Sequence, residues 1–574
     1  MREIELNPLD EHMARKMADL AGIAPGISFF QAVRLVCYAA ANGHVCLDLR
    51  DYAGQEISFN YLGSIETIPL PEIDLWINEL ASNPLVGDGT NNTPFVLDNK
   101  HSRLYLHRYW QYERHLITAF KHLSAAQLDV STTQADMAKH LFADTSSSEE
   151  QQQATQLAGQ SQLCIITGGP GTGKTTTIVN IMAMLLTENP EIKIILTAPT
   201  GKAAARLSES VSSGKRLLLN KIPQNTAEKI SVETQTIHRL LKSRRNSIFF
   251  QHNTENPLSI DCLILDEASM VDIALMSKLI QALPDKCRLI LLGDANQLSS
   301  VEAGAVFGDL CSTADPQLLS KITYLKKSHR FTPDQGIGRL SHLVLSGSGS
   351  EAYEYLSENQ NDQIAWESLP EPNQLQNFIE KTIIPHAIKL ANSDTAEIAF
   401  QHLRSFLVLT ALRVGIFGSV NLNDLVSDLL IQSGHIPPAT EWYPGRPIII
   451  TRNDYGMGLF NGDLGICFPD PEENRLAVYF EEGDGYRKIV PSRLPSHESV
   501  YALTIHKSQG SEFDGVALIL PDRESEVLTR ELIYTGITRA RSSLTIVGNK
   551  EVFIKSVSKS VKRSSGLKEG LDET

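Results

Sequence analysis

The stretch LCIITGGPGTGKTTT, residues 163–177, decides how this chain is interpreted. An apolar, strand-like run is followed by Gly-x-x-x-x-Gly-Lys-Thr and then by apolar residues at helical spacing. In such a loop the glycines let backbone N–H groups close on phosphate oxygens, the lysine reaches the β- and γ-phosphates, and the threonine hydroxyl binds Mg²⁺. The following helix presents its positive N-terminal end to the same anion. We therefore expect ATP and Mg²⁺ to bind on Gly168, Gly169, Pro170, Gly171, Thr172, Gly173, Lys174 and Thr175.

Length and composition indicate an ordinary globular protein of several domains. The 574 residues exceed what one core accommodates, so three or four domains are expected, and 42% apolar with 21% charged residues is typical of globular proteins. No apolar run approaches the roughly 18 residues of a membrane span, and the N-terminus lacks a signal-peptide pattern. The seven scattered cysteines show no metal-binding spacing. We expect a cytoplasmic protein without a structural metal or a membrane contact.

The charge of the chain is unevenly distributed. The net charge of −15 argues against nucleic acid as a partner. Residues 201–246, however, hold 10 basic residues against three acidic ones. This segment predicts either a local basic groove or a solvated basic helix face, and the charge pattern alone does not choose between them.

Two further apolar strands end in residues suited to ATP hydrolysis. The first ends at Asp266 and Glu267: the aspartate is suited to the Mg²⁺ shell, and the glutamate is suited to orient or deprotonate the attacking water. The second ends in Gly293-Asp-Ala-Asn-Gln297, and a glutamine at the carboxyl edge of a parallel sheet can sense the γ-phosphate. Both carboxylates also fit a merely solvated strand end, but together with the loop they predict hydrolysis.

Other candidate residues have weaker patterns. Pro199, Thr200 and Gly201 link a strand to a helix and form a second anion cradle, suited to a nucleic-acid phosphate, with His238 as a candidate neighbour. Arg330 is a candidate arginine finger. Gln151 heads the helix before the loop, where related ATPases contact adenine, although a solvated helical glutamine fits equally well.

The motifs and their order resemble superfamily-one DNA helicases, and more closely the RecD family, the alpha subunits of exodeoxyribonuclease V (RecBCD). The similarity covers roughly residues 100 to 550 and departs at Ser299, where many relatives have proline. The motifs that support it, beyond those quoted above, are Ser328-His-Arg330, Thr504-Ile-His-Lys-Ser-Gln-Gly510, Tyr534-Thr-Gly-Ile-Thr-Arg539 and the segments 104–112, 411–423 and 451–463.

The resemblance implies roles for the site residues. Glu267, Gln297, Arg330 and Arg539 would be catalytic; Gly510 and Gln151 would belong to the nucleotide site; Pro199, Thr200, Gly201, His238, Thr504 and His506 would contact DNA; and Thr175 and Asp266 would hold Mg²⁺. It also implies 5′→3′ movement on single-stranded DNA, action at DNA ends, and assembly with RecB and RecC subunits, with the nuclease centre on another chain.

The resemblance also implies an α/β architecture with two RecA-like P-loop NTPase domains that contain parallel sheets. We expect a mostly helical, partner-docking N-terminal domain at 1–145, the first RecA-like domain at 146–345, the second at 346–446 and 500–574, and a small SH3-like β-barrel insertion at 447–499. Residues from Lys555 onward are rich in serine, lysine and glycine, and we expect them to be frayed.

Three other functions fit part of the pattern. A stand-alone RecD-like helicase would have the same motor motifs. A DNA-independent P-loop remodelling ATPase would share the loop but would not need the motifs at Gln297 and Thr504. A non-catalytic scaffold is disfavoured because the catalytic residue types are all present. The sequence shows no specific nuclease constellation.

Overall fold

The computed structural model describes residues 2–22, 28–128, 137, 141–142, 149–219, 221–244, 247–438, 440–454, 456–473, 475–482 and 485–573. The expected boundary between residues 145 and 146 and the end of the basic segment, 245–246, lie outside these ranges. Among the described residues, no helix is both long enough and apolar enough to span a bilayer.

The N-terminal part mixes helices with two small sheets, which the expectation of a mostly helical domain did not include. Strand order is β1-β3-β4 in one sheet and β2-β7-β6-β5 in the other. The strands have at most six residues, too few for a clear alternating pattern, and the β3–β4 hairpin forms only because Leu62 and Gly63 both adopt positive φ. The elements are β1 (Arg2–Glu5), α1 (Pro8–Ala21), α2 (Ser28–Ala41), β2 (Cys46–Asp48), β3 (Glu56–Tyr61), β4 (Ser64–Pro69), α3 (Ile73–Ala81), β5 (Val86–Gly87), β6 (Phe95–Asp98), β7 (Arg103–Leu106) and α4 (His107–Ala125), with a 3₁₀ turn at Leu49–Asp51.

The next part is built on a six-stranded parallel sheet of order β10-β9-β11-β12-β8-β13, as the sequence predicts. Helices cover both faces, which explains why the inner strands β8, β9, β11 and β12 are largely apolar runs. The elements are α5 (Glu149–Gln160), β8 (Leu163–Gly168), α6 (Lys174–Glu188), β9 (Ile194–Ala198), α7 (Gly201–Leu218), α8 (Gln224–Lys229), β10 (Thr234–Thr236), α9 (Ile237–Leu240), β11 (Cys262–Leu265), α10 (Ile273–Gln281), β12 (Arg288–Gly293), α11 (Val306–Cys311), α12 (Pro316–Leu319) and β13 (Ile322–Leu325), with a 3₁₀ turn at Ala268–Met270.

A second parallel sheet, of order β14-β23-β22-β15-β21, follows. The elements are α13 (Gly336–Leu345), α14 (Gly349–Glu358), β14 (Ile364–Ser368), α15 (Leu375–Thr382), α16 (Ile384–Ala391), α17 (Ala396–Ser405), β15 (Phe406–Thr410), α18 (Ser419–Gln432), β21 (Ala502–Thr504), β22 (Phe513–Ile519), α19 (Arg530–Ile537), β23 (Ala540–Gly548) and α20 (Lys550–Ser558), with 3₁₀ turns at Pro372–Gln374 and His506–Ser508. We call the parts around the first and second parallel sheets the first and second motor domains.

An antiparallel sheet is inserted between α18 and β21, as the short strands and turns of 447–499 predict. Its order is β19-β18-β17-β16-β20, and its strands share a small apolar core that includes Ile448, Ile450, Cys467 and Val478. The elements are β16 (Pro447–Ile450), β17 (Leu464–Asp470), β18 (Arg475–Glu482), β19 (Gly485–Ile489) and β20 (His497–Ser499), with a 3₁₀ turn at Pro491–Arg493.

The expectation that residues beyond Lys555 are frayed was wrong. Helix α20 continues to Ser558, and a last helix, α21 (Leu567–Asp572), packs against α4 with Leu567 and Leu571 fully buried. The segment 563–573, which we call the strap, leaves the second motor domain and lies on the first motor domain and the N-terminal part. The strap is mostly polar, and its two leucines supply the apolar side chains that pack against α4.

Candidate nucleotide site and nucleic-acid path

The phosphate loop joins β8 to α6 with a backbone that only glycine adopts easily. Gly171 and Gly173 have φ of 74° and 85°. The Lys174 ammonium lies within the loop and donates to the carbonyls of Gly168 and Gly169 at 2.7 and 3.1 Å. Thr175 follows in the first turn of α6 and is half-buried. The loop therefore holds a cation at the positive end of a helix, which is a site for an anion.

Gln151 supports the loop from α5. Its side-chain amide donates to the Thr172 carbonyl at 3.0 Å, and the side chain is 2% exposed. The close approach explains Gly173, because a Cβ there would lie 2.0 Å from the Gln151 nitrogen. Gln151 is thus not the solvated residue of the alternative interpretation, while its contact with adenine stays a prediction.

Asp266 and Glu267 follow β11, beside the loop. Burial and the Glu267 carboxylate raise the pKa of Asp266, and the Lys174 ammonium opposes them. Glu267 has φ 52° and ψ 39°, a left-handed conformation that costs a non-glycine residue about 1 kcal/mol or more and is frequent at active sites. The two carboxylates and the ammonium therefore lie near one another, while their roles in hydrolysis stay a prediction.

Asp294 connects the first motor domain to the second. Its carboxylate accepts from the Gln297 amide at 3.2 Å and from the Tyr534 hydroxyl at 3.1 Å. Tyr534, in α19, lies so close to the loop that a Cβ on Gly169 would be 3.0 Å from its hydroxyl. Burial raises the pKa of Asp294, and Lys174 opposes this shift. The predicted γ-phosphate sensor is thus placed between the phosphate loop and the other domain.

The backbone of Leu298 adds two bonds across the same boundary. Its N–H donates to the Thr535 hydroxyl at 3.1 Å, and its carbonyl accepts from the Gln509 amide at 3.0 Å. The segment that follows Gln297 is consequently held by two different elements of the second motor domain.

Arg330 takes part in an ionic cluster in the cleft. Its guanidinium donates to Glu512 at 2.6 Å, and Arg206 and Arg541 approach the same carboxylate oxygen at 2.7 and 3.1 Å. Burial by itself raises the pKa of Glu512, but Arg206 and Arg330 outweigh it and lower the pKa to about 2. Because Arg206 and Arg330 belong to the first motor domain and Glu512 to the second, this carboxylate ties the domains together.

Arg539 is held on the second motor domain. It is 3% exposed and donates to the carbonyls of Thr535 and Ser511, both at 3.1 Å. Burial lowers the pKa of its guanidinium, and the nearby carboxylates Glu267 and Glu512 oppose this. Gly510, with φ 71°, belongs to the same turn, and its carbonyl accepts from Arg206 at 3.0 Å.

The second predicted anion cradle is covered by the insertion. The Thr200 hydroxyl accepts from Ala203 N–H at 3.2 Å and caps α7. Phe460, from the loop before β17, lies against Gly201, where a Cβ would be 2.4 Å from the ring. The neighbouring Lys202 ammonium is buried and has no hydrogen-bond partner among the described residues. Burial lowers the pKa of Lys202 to about 8, and Asp463 opposes this.

The remaining predicted DNA-contacting residues are divided between the two sheets. Pro199 and His238 follow the neighbouring parallel strands β9 and β10, and the ring of His238 lies 5.7 Å from that of Phe250. Thr504 ends β21 on the second motor domain, and His506 begins the 3₁₀ turn that follows. Burial lowers the pKa of both histidines, so neutral rings are favoured.

Sequence reasoning missed Arg206, Tyr534 as a hydrogen-bonding residue, and Glu512. Glu512 stands two residues after the quoted Thr504–Gly510 motif, and Arg206 lies in the basic segment. Both residues thus lie in or beside segments that were singled out from the sequence. Nothing in the local pattern, however, indicates that Arg206 and Glu512 contact each other.

Three segments of the chain match described families. Residues 3–105 match the N-terminal domain of RecBCD enzyme subunit RecD, residues 151–303 match the AAA domain family, and residues 499–547 match the UvrD-like helicase C-terminal domain.

Similar proteins agree with these segments. RecBCD enzyme subunit RecD of Mycolicibacterium smegmatis is 35% identical over 577 residues, which cover 99% of this chain and 97% of that protein. The Haemophilus influenzae subunit of the same name is 31% identical, with 90% and 87% coverage, and the ATP-dependent RecD2 DNA helicase of Deinococcus radiodurans is 30% identical, with 78% and 55% coverage. A solved structure of Pif1 helicase from Bacteroides with ADP-AlF3 and single-stranded DNA aligns with a TM-score of 0.41 at 17% identity, covering 73% of this chain and 95% of that one. The extent of the match to the subunits shows that this chain belongs to the RecD family of RecBCD enzyme subunits.

Proposed function

We propose that this chain is an ATP-dependent DNA helicase that moves 5′→3′ along single-stranded DNA as the RecD subunit of a RecBCD helicase–nuclease. The observation that carries the proposal is the cleft between two parallel-sheet domains. Lys174, Glu267 and Gln297 approach it from the first domain, and Tyr534 and Arg539 approach it from the second.

The residues present fit ATP and Mg²⁺. In the part of the chain that the structure describes, the Lys174 ammonium has hydrogen bonds only to loop carbonyls, so a phosphate can take their place as its partner. Thr175 and Asp266 would hold Mg²⁺, which prefers oxygen ligands. Bound ATP supplies the phosphoryl group, and Mg²⁺ neutralises its charge. Gln151 braces the loop, and adenine would bind near it.

The catalytic roles follow from the charges in the cleft. Glu267 would orient and deprotonate the attacking water, and Gln297 would contact the γ-phosphate. Arg330 and Arg539 would stabilise the charge that develops on the transferred group. Gly510 would lie at the nucleotide because its turn is joined to Arg539 through Ser511.

Movement on DNA would follow from opening and closing of this cleft. Gln509 and Thr535 contact the segment after Gln297, so occupancy of the site changes the relation between the domains. Pro199, Thr200, Gly201 and His238 on the first domain, and Thr504 and His506 on the second, would contact the strand alternately. Phosphate contacts and base stacking supply such sequence-independent binding.

The other parts of the chain would serve assembly. The acidic N-terminal part, 1–145, would dock RecB and RecC, and the antiparallel sheet at 447–499 would be an SH3-like barrel inserted between 346–446 and 500–574. The complex would act at DNA ends, in double-strand break repair and recombination, with the nuclease on another chain.

ATP hydrolysis by the purified chain, with and without single-stranded DNA, tests the proposal. We expect strong stimulation by DNA that Lys174→Gln abolishes, and faster unwinding of 5′-tailed than of 3′-tailed duplexes. Hydrolysis that depends on Lys174 but ignores DNA would instead indicate a remodelling ATPase. Faster unwinding of 3′-tailed duplexes would overturn the polarity alone. If the isolated chain is inactive, the wild-type and Lys174→Gln subunits are compared in the assembled complex. Equal rates of unwinding and of hydrolysis with the two subunits would refute the motor role.

A further inference from the structure

The loop 299–304, which follows Gln297, is organised by hydrogen bonds to its own carbonyls. The Ser300 side chain is buried, and its hydroxyl donates to the carbonyls of Glu302 and Gly304 at 2.9 and 3.3 Å. Gly304 has φ 96°, and Val301 is exposed. The loop contains no regular structure, so its shape depends on polar contacts of this kind.

A single guanidinium from the strap supplies three more of these contacts. Arg563 Nη1 donates to the carbonyls of Glu302 and Gly304 at 2.5 and 3.0 Å, and Nη2 donates to the Ser300 carbonyl at 2.5 Å. Arginine is suited to this task because its planar fork keeps several donors in fixed directions. It stays charged here, although burial lowers the pKa of its guanidinium.

Arg563 itself is fixed on both sides. Two residues before it, Val561 N–H donates to the Glu531 carboxylate on the second motor domain at 2.9 Å. One residue after it, the Ser564 carbonyl accepts from Val45 N–H at 2.8 Å, in the N-terminal part. Arg563 therefore stands where the chain crosses from the second motor domain to the N-terminal part, beside the loop 299–304.

The sensor residue lies between two fixed points. Upstream, the Gln297 amide is bonded to Asp294. Downstream, both backbone groups of Leu298 are bonded to the second motor domain, and the carbonyls that Arg563 holds begin two residues later, at Ser300. We propose that Arg563 is a positioning residue for Gln297: by holding the loop 299–304, it keeps the glutamine in the geometry that hydrolysis requires. This inference rests on the proposed function, because it concerns the same ATP site.

If Arg563 served only as an anchor of the strap, any substitution that loosens the strap should lower kcat to the same extent. The strap has a separate anchor in Asp572, whose carboxylate accepts from the Thr313 hydroxyl at 2.6 Å and from Ala314 N–H at 2.7 Å. Asp572→Ala loosens the strap without touching the loop 299–304. Lys562→Ala removes an exposed cation next to Arg563 and serves as the control for charge.

The test compares DNA-stimulated ATP hydrolysis by the full chain with each variant. For Arg563→Ala we expect kcat to fall about 10- to 100-fold, the range that a displacement of about 1 Å can cause. The KM for ATP should change less than about two-fold, because the phosphate loop is untouched. Methylguanidinium should restore part of kcat. The kcat of Arg563→Lys should lie between those of wild type and Arg563→Ala, because one ammonium cannot reach all three carbonyls in the same way. Asp572→Ala and Lys562→Ala should keep the wild-type kcat.

Amide hydrogen exchange gives a readout that does not depend on activity. Arg563→Ala should accelerate exchange in the peptide 297–305, while Asp572→Ala should not. Unchanged exchange there, or an equal loss of kcat in Arg563→Ala and Asp572→Ala, overturns the positioning role. If Arg563→Ala does not fold, Arg563→Lys decides by the same two measurements. Wild-type hydrolysis that ignores DNA would refute the proposed function, and an inactive isolated chain moves the same comparison to the assembled complex. Active wild type with an unaffected Arg563→Ala refutes only this inference.

Discussion

Replacing Glu512 with glutamine should loosen the contact between the motor domains in the nucleotide-free protein. The Glu512 side chain is 9% exposed and faces three guanidiniums, of which Arg206 and Arg330 come from the other domain. Glutamine has nearly the same shape but no charge, so it leaves these cations close together without a counter-ion.

The magnitude follows from the pKa of this carboxyl. The arginines lower it from 4.5 to about 2, and each pKa unit corresponds to about 1.4 kcal/mol, so the ionised form contributes about 3 kcal/mol at neutral pH. Because folding lowers the pKa of Glu512, the stabilisation is complete above about pH 5 and is lost as the pH falls toward 2. At pH 7.5 the whole contribution is therefore available to be removed.

Hydrogen exchange, measured by mass spectrometry at pH 7.5 without nucleotide, reports how often the contact between the motor domains opens. The backbone N–H of Leu298 is bonded across the domain boundary to the Thr535 hydroxyl at 3.1 Å and should be released when the cleft opens. A loss of about 3 kcal/mol accelerates its exchange about 100-fold. Glu524→Gln is the matched control, since its bond to Lys555 is exposed on both sides and should contribute little. An unchanged rate at Leu298, or the same acceleration in the control, would refute the account of the cluster.

Three other substitutions test the cleft. Arg539→Ala should retain ATP binding but lose about 10³-fold in kcat, the range of arginine fingers, and near wild-type turnover would disprove the assignment. Tyr534→Phe removes a donor to the buried Asp294 carboxylate, a bond of about 1.5 to 3 kcal/mol, and should lower DNA-stimulated kcat about ten-fold or more; an unaffected rate would mean that the hydroxyl is not needed across the boundary. Phe460→Ala should weaken single-stranded DNA binding about ten-fold, because aromatic stacking contributes about 1 to 3 kcal/mol per base, and tighter binding in a fluorescence titration would show that the ring only blocks the strand.

The nucleotide site follows largely from sequence because its determinants are local. The phosphate loop, the strand before it and the helix after it are consecutive, so spacing alone predicts their arrangement. Asp266 and Gln297 were predicted for a related reason: each follows a buried strand, and in a parallel sheet such ends meet at one edge.

The features that were missed depend on contacts between distant segments. Arg206 and Glu512 are about 300 positions apart, and no periodicity links them. The strap was expected to be frayed because its polar residues outnumber its apolar ones. Its order comes from partners such as Glu113 and Ser300, which belong to other parts of the chain. The short strands of the N-terminal part have no pattern long enough to recognise.

The docking of the strap also has a consequence for how the protein is made. Glu113 accepts from Gly566 N–H at 2.8 Å and from the Tyr105 hydroxyl at 3.0 Å, so the early segment around α4 is completed by residues synthesised about 450 positions later. During translation, which adds about 5–20 residues per second, this groove stays open until both motor domains have left the ribosome. Chains that end prematurely never fill it. An incomplete motor therefore exposes a buried carboxylate and an apolar surface near the beginning of the chain.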